Sequence, residues 1–402
     1  MTFGQKLGEI DDVQSAKKLD FIYFDAGGGH RSAAMALQQV ISQQGRPWEI
    51  RMVNLQEQLD ALDIFRRITG IRLQDYYNLL LKKGWTIGSS ELLKGLHVVI
   101  KLFQPALVKM LRDFWRAGRP DMVVSLIPNF NRALWLSLND ALPGTPLVTI
   151  LTDIADYPPH FWIERQPQYL ICGSDRAVAQ ARALGHAEDR IFRASGMVLN
   201  PRFYEPITAD RAAERRRLGL DANLPTGLVL FGGEGSSVMF EIAQRLQAAA
   251  GKLQLILICG RNEKLAARLR AMRPSLPIFV EGFTREVPYY MHLSDFFIGK
   301  PGPGSISEAI AMKLPVIVER NAWNLPQERY NCEWVRENDV GLVLRNFRTI
   351  GSAVEELLEP ETYARMRANA AAMNNRAVFE IPDMLAAILS GSAGVSYSSV
   401  SV

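Results

Sequence analysis

Lys300, Pro301, Gly302, Pro303, Gly304 and Ser305 follow an apolar run, Phe296-Phe297-Ile298, and lead into a helical pattern over residues 305–313. A strand, a glycine turn and a helix start bring backbone N–H groups and the positive end of a helix dipole to one point, which suits a diphosphate. One turn beyond Ser305, Glu308 offers a carboxylate, and Gln327, Glu328 and Asn331 supply hydroxyl-binding groups further on. A diphosphate beside a polyol describes a nucleotide sugar.

Two more glycine loops have the same setting. Gly232-Gly233-Glu234-Gly235-Ser236-Ser237 follows the apolar run 227–231. Together with Gly302–Ser305 it would converge at the carboxyl edge of one sheet, where open α/β folds bind ligands. Near the N-terminus, Asp25-Ala26-Gly27-Gly28-Gly29-His30-Arg31 follows Phe21-Ile22-Tyr23-Phe24 and enters a helix. No Gly-Lys-Ser/Thr closes that loop, so it is not a P-loop. It also lacks G-x-G-x-x-G, and the second strand ends in Asn54 rather than a ribose-binding acid. Its glycines, Gly28 and Gly29 included, let a ligand approach the backbone beside His30. Of the histidines at 30, 97, 160, 186 and 292, His30 has the best setting for proton transfer near neutral pH. Asp153, in Thr152-Asp153, and Asp25 are its candidate orienting partners or alternative bases. No two aspartates stand at i, i+2, the usual clamp for a metal–diphosphate, so neither a metal nor a cofactor is expected. Leaving-group charge would instead be met by helix ends and donors, with Lys300, Arg261 and Arg285 as helpers.

The elements that must hold these residues read as alternating strands and helices, hence an α/β chain with parallel sheets. With 402 residues, two domains are expected. The pattern breaks near Asn200-Pro201-Arg202-Phe203, which divides an N-terminal domain, 1–200, from a C-terminal domain, 201–375. A helix over 376–390 could return to the N-terminal domain, and the Ser/Gly/Val-rich 391–402 reads as a disordered tail. Cys172, Cys259 and Cys332 show neither metal spacing nor a disulfide framework, which favours a reducing compartment. The polar start gives no signal peptide, and no apolar run reaches membrane-spanning length, so a cytoplasmic location is expected.

Charge is uneven. Residues 64–119 carry eleven Lys/Arg against three acids, while the whole chain is only +4. The same segment holds Phe65, Tyr76, Tyr77, Trp85, Phe103, Phe114 and Trp115, a mixture that fits a surface lying on anionic lipid. A solvated helical face is the plainer reading. No nucleic-acid-binding motif is present.

The three glycine loops, Ile258-Cys259-Gly260-Arg261-Asn262, Glu281-Gly282-Phe283 and Pro326-Gln327-Glu328 keep an order that resembles the monogalactosyldiacylglycerol synthases. It is similar, more distantly, to the bacterial diacylglycerol glucosyltransferases and the lipid II-forming N-acetylglucosaminyltransferase. The resemblance implies a GT-B fold, two Rossmann-like domains facing across a cleft. It also implies inverting, metal-independent transfer of a hexose, galactose favoured over glucose, from a UDP-sugar to diacylglycerol on the inner face of the cell membrane. Carried over by motif, Gly233–Ser236 and Gly302–Ser305 would hold the diphosphate, with Gly282 and Phe283 near the uracil. Glu308 would hold the ribose, Gln327 and Glu328 the sugar, and His30 would face the acceptor. Two departures fall on the acceptor side. Ser125-Leu126-Ile127-Pro128 replaces Ser-Val-His-Pro, and Pro158 stands where the synthases have histidine. Other readings are a UDP-sugar 2-epimerase, a silent UDP-sugar sensor, and a transferase acting on ceramide or a soluble acceptor.

Overall fold

The computed structural model describes residues 16–25, 29–61, 89–272, 275–321 and 326–391; the side chains of 60–61, 89–103 and 326–327 are outside that description. The first sheet contains β1 (Lys17–Tyr23), β2 (Trp48–Asn54), β3 (Met122–Ser125), β4 (Leu147–Ile150), β5 (Tyr169–Cys172) and β6 (Ile191–Arg193), in the order β2-β1-β3-β4-β5-β6. The second contains β7 (Thr226–Leu230), β8 (Gln254–Ile258), β9 (Ile278–Glu281), β10 (Phe296–Gly299), β11 (Val316–Glu319) and β12 (Gly341–Leu344), in the order β12-β11-β10-β7-β8-β9. Neighbouring strands are parallel throughout, so helices return the chain across both faces.

Burial explains the strand compositions. Strands β3, β4, β7, β8 and β10 are buried at every position, as expected where both faces are covered. Edge strands differ: β2 alternates in burial over most of its length, and β6 and β12 are largely half-exposed. The alternating pattern in the sequence misses β6 and β12, edge strands of three and four residues.

Strand order reverses between β1 and β3 in the first sheet and between β7 and β10 in the second. Connections leave toward opposite faces at such a point, which opens a crevice beyond the carboxyl ends of the strands. The loop after β3 and the start of helix Gly29–Gln43 border one crevice, and the loops after β7 and β10 border the other. The glycine loops at 232–237 and 302–305 lie at the second reversal, and Gly29 and His30, the described end of the first loop, lie at the first.

The chain crosses between the sheets twice. Residues 194–204 lead to the second sheet, and the segment after helix Pro360–Ala372 leads back. Helix Ala377–Leu389 then packs Ala377, Val378, Ile381 and Leu385 into one core with Leu37 and Ile41 of helix Gly29–Gln43 and with Phe21 of β1. The crossings are stitched together. Asn375 Nδ2 donates to the Met197 carbonyl at 2.9 Å, and the Ser195 N–H donates to Glu380 at 2.8 Å.

Part of the basic segment, 62–88, lies outside the described residues, as do Gly28 and the tail 392–402. Helix Ser89–Gly118 follows it, and its described part corrects one expectation. Trp115 is fully buried, with its indole donating to Ser137 Oγ at 2.9 Å, and Phe114 lies under the Arg51 guanidinium. These two aromatics therefore face the core, as Leu107 and Leu111 do, leaving Lys109, Arg116 and Arg119 exposed. Among the described residues, no helix is long and apolar enough to cross a membrane.

Candidate functional site

Helix Pro303–Ala311 starts two residues before the sequence pattern placed it. Gly302 takes an extended N-cap conformation and Pro303 fills the first helical position, where its missing N–H costs nothing. No side chain caps this end, so the first-turn N–H groups have no acceptor within the helix. A Cβ on Gly304 would meet nothing within 4 Å, so the tip faces open space.

Across the reversal, the loop after β7 is packed backbone on backbone. Gly260 has φ 59°, and a Cβ there would lie 2.2 Å from the Gly233 carbonyl oxygen. At Gly235, with φ 61°, a Cβ would lie 2.5 Å from the Cys259 carbonyl oxygen. Arg261 N–H donates to Gly233 O at 2.7 Å, and Ser236 Oγ accepts from Val238 N–H at 3.3 Å. Glycine is thus required for packing at Gly260 and Gly235, while Gly232 (φ 76°) turns the chain toward the crevice. Arg261 pairs with the exposed Glu234 at 3.2 Å and lies 4.7 Å from the ring centre of Phe283, which follows Gly282 and is 54% exposed.

Glu308 lies one turn into the glycine-led helix, where desolvation pushes its carboxyl up to about 7. Glu328 is buried in helix Pro326–Glu337, and Lys300 Nζ lies 3.6 Å from its Oε1. Gln327 belongs to the same first turn, but its side chain is outside the described residues. Asn331 is fully buried, and its amide donates to the Pro301 carbonyl at 2.8 Å. Asn331 thus fixes the loop carrying Gly302, while its Oδ1 has no hydrogen-bond partner among the described residues. Arg285 is exposed, and its carbonyl accepts from Arg202 at 3.1 Å.

In the first domain His30 begins helix Gly29–Gln43, with Nδ1 3.1 Å from Thr152 Oγ1 and its ring centre 5.8 Å from that of Trp162. Desolvation pulls its pKa down to about 4, opposed by a bond to the Leu126 backbone. Trp162 is fully buried and its Nε1 donates to Asp153 Oδ2 at 2.8 Å. Burial pushes the Asp153 carboxyl up to about 7 against that bond, and the charges of Glu328 and Asp156 add to the rise. The loop holding these groups is internally knit: Asp156 accepts from His160 N–H at 2.9 Å and from Trp162 N–H at 2.6 Å. Asp25 is placed elsewhere, paired with Arg31 at 2.9 Å on the surface. Neither aspartate touches His30; a hydroxyl, Thr152, occupies that place. Thr152 and Trp162 were not singled out as site residues because nothing in a sequence says which way an indole or a threonine points.

The residues thus form two clusters. Gly232–Ser236, Gly302–Ser305, Glu308 and Glu328 border the second crevice, and His30, Thr152, Asp153 and Trp162 the first. The two sides meet where Tyr157, from the loop of Asp153, stacks on Tyr330 of the helix carrying Glu328, ring centres 5.7 Å apart.

Residues 228–384 match the glycosyltransferase family 28 C-terminal domain. The chain is 27% identical over 368 residues to the chloroplastic monogalactosyldiacylglycerol synthase of Spinacia oleracea, covering 87% of this chain and 68% of that protein. It is 28% identical to monogalactosyldiacylglycerol synthase 3 of Arabidopsis thaliana, over 92% of this chain and 81% of that one. Acinetobacter baumannii MurG superposes with a TM-score of 0.58 at 14% identity, covering 92% of this chain and 99% of that one. The UDP-GlcNAc 2-epimerase of Neisseria meningitidis, solved with UDP-GlcNAc, superposes at 0.59 with 12% identity, over 93% and 100%. The fold is GT-B.

Proposed function

We propose that this chain, a glycosyltransferase with a family 28 domain in its C-terminal half, transfers a hexose from a UDP-sugar to diacylglycerol, with inversion. The observation that carries the reading is the uncapped helix start at Gly302–Ser305, set at a strand-order reversal and facing a second cluster that holds a histidine and a carboxyl group. In this reading the diphosphate sits on the first-turn N–H groups and the loop 232–236. Those donors stabilise the charge that develops as the sugar C1–O bond breaks, without reorganising. Phe283 with Arg261 offers a face for the uracil, Glu308 an acceptor for ribose hydroxyls, and Glu328 with Gln327 an acceptor set for the sugar.

His30 takes the proton of the attacking hydroxyl. A pKa near 4 keeps its imidazole neutral at physiological pH, the form that can accept a proton. Thr152 Oγ1 at Nδ1 and the Leu126 backbone orient the ring for this work. A single displacement from the face opposite UDP turns an α-linked donor into a β-linked product. No metal is routed into any step, and the rate is expected to survive EDTA.

Galactose is favoured over glucose, and docking on anionic lipid through residues 64–119 brings the enzyme to an acceptor that stays in the bilayer. The relatives named as galactolipid synthases support both the donor and the acceptor. The epimerase reading stands second, on fold likeness alone. Product identity tests the choice. The protein is incubated with labelled UDP-galactose or UDP-glucose and vesicles containing diacylglycerol or ceramide. A β-hexosyl-diacylglycerol in the organic phase is expected. An epimerised UDP-sugar with no labelled lipid would support the epimerase instead.

A further inference from the structure

Helix Pro326–Glu337 has two faces with different partners. Glu328 and Asn331 tie it to the donor loop through Lys300 and the Pro301 carbonyl. Tyr330, Trp334 and Glu337 recur at helical spacing on another stripe. Tyr330 is stacked on Tyr157 of the other domain, ring centres 5.7 Å apart and planes inclined by 18°. Such offset contacts contribute beyond simple burial. The Tyr330 hydroxyl donates to Glu337 at 3.1 Å, and Arg176 donates to the Tyr157 hydroxyl at 3.1 Å. Ile154, Ala155 and Met197 complete this small apolar cluster.

Tyr157 lies in the loop that carries Thr152 and Asp153, and that loop is stiff. Gln180 bonds both the N–H and the carbonyl of Asp156 at 2.9 Å, Ser174 bonds the Ile154 carbonyl, and the Asp156 carboxylate holds two further N–H groups. Beside the stack lies a cavity of about 320 Å³, lined among others by Arg176, Met197, Tyr330 and Trp334. The domains are therefore not close-packed there, and the stack is a discrete contact within a loosely filled region.

We infer that the Tyr157–Tyr330 stack positions the acceptor-side cluster against the donor site, so that Tyr330 is a positioning residue for catalysis. The rigid helix carries the placement of the donor loop to Tyr330, the stack passes it to the loop 152–157, and that loop holds His30 through Thr152. The inference rests on the transferase reading of the cleft, and goes beyond it by naming what keeps the two halves in register. Misplacement by about 1 Å can cost about 100-fold in rate.

The test compares Tyr330→Ala, Tyr330→Phe, Tyr157→Ala and the double alanine variant with the wild type. Three quantities are read: turnover in the vesicle assay, UDP affinity, and amide exchange of residues 152–157 with and without UDP. Tyr330→Ala should lower kcat by about tenfold or more, with UDP affinity within about twofold, while Tyr330→Phe, which keeps the stack, restores the rate. The double variant should be no slower than the worse single variant. In the wild type UDP should slow exchange at 152–157, and in Tyr330→Ala that protection should vanish. An unchanged kcat in Tyr330→Ala, a Tyr330→Phe variant as slow as the alanine, or losses that multiply in the double variant would each overturn the inference. If the wild type transfers no sugar, the transferase reading fails by itself. The exchange comparison still decides whether the stack couples the domains: protection unaltered by Tyr330→Ala rejects it.

Discussion

At the residue scale the two proton-transfer candidates are separated by their surroundings. His30 is the better placed, against Thr152 and at the head of its helix, while Asp153 has the pKa nearer neutrality. Their titrations fall in different ranges, so pH distinguishes them. With His30 as base, kcat at saturating substrates stays flat as pH falls from 8 through 7, and drops only as pH nears about 4. With Asp153 as base, it would fall about tenfold per unit below about 7. The flat profile is expected. Asp153 also makes a stability prediction. Its folded pKa, about 7, exceeds its ordinary 3.8, so the folded state favours the protonated form. The stability this contributes is complete below the ordinary value and is lost as pH rises through about 7. Asp153→Asn removes the charge, so its melting temperature should exceed that of the wild type by about 2 °C or more at pH 8. The gap should narrow at pH 5; a gap independent of pH would contradict the assignment.

The uncapped helix start gives the clearest prediction among the elements. An acid in a first turn suits a helix dipole by about 0.3–1 kcal/mol, yet it would repel a bound diphosphate. Gly304 has room for a side chain. Gly304→Asp should therefore keep the wild-type melting temperature while weakening UDP binding by about tenfold or more, as read by calorimetric titration. UDP affinity within about twofold of wild type would remove this helix start from the diphosphate site. The same element shows how far the sequence can be read. A glycine turn after an apolar strand marks a helix start, so the second crevice is legible from local signals, although the helix itself begins two residues earlier than its pattern implies. Helix Pro326–Glu337 is less so, because polar residues surround its buried apolar pair, Cys332 and Val335. Asn331 has the chemistry of a sugar ligand, and only the packed structure reveals that its Nδ2 also holds the Pro301 carbonyl. Trp115 was likewise ambiguous, since a basic helix with aromatics reads the same whether its aromatic face meets lipid or core.

For the whole molecule, the division into two clusters at two crevices follows from two sheets that each reverse order once. Both glycine-loop sets were visible in the sequence; the Thr152 and Trp162 surroundings of His30 depend on strands far apart in the chain and were not. Membrane association belongs to this scale too. Each Lys or Arg near an anionic surface contributes about 1 kcal/mol, so the excess charge of residues 64–119 predicts flotation with anionic vesicles and much weaker recovery with neutral ones. Equal recovery would remove electrostatics from the docking.

The central claim is that the C-terminal domain holds the donor while His30, from the other domain, drives the chemistry. Single-turnover transfer by His30→Ala, measured beside its UDP affinity, tests that division most directly. Transfer should slow by about 100-fold or more, the scale of a lost general base, with UDP affinity unchanged. A near-normal rate, or a rate lost only in step with UDP binding, would contradict it.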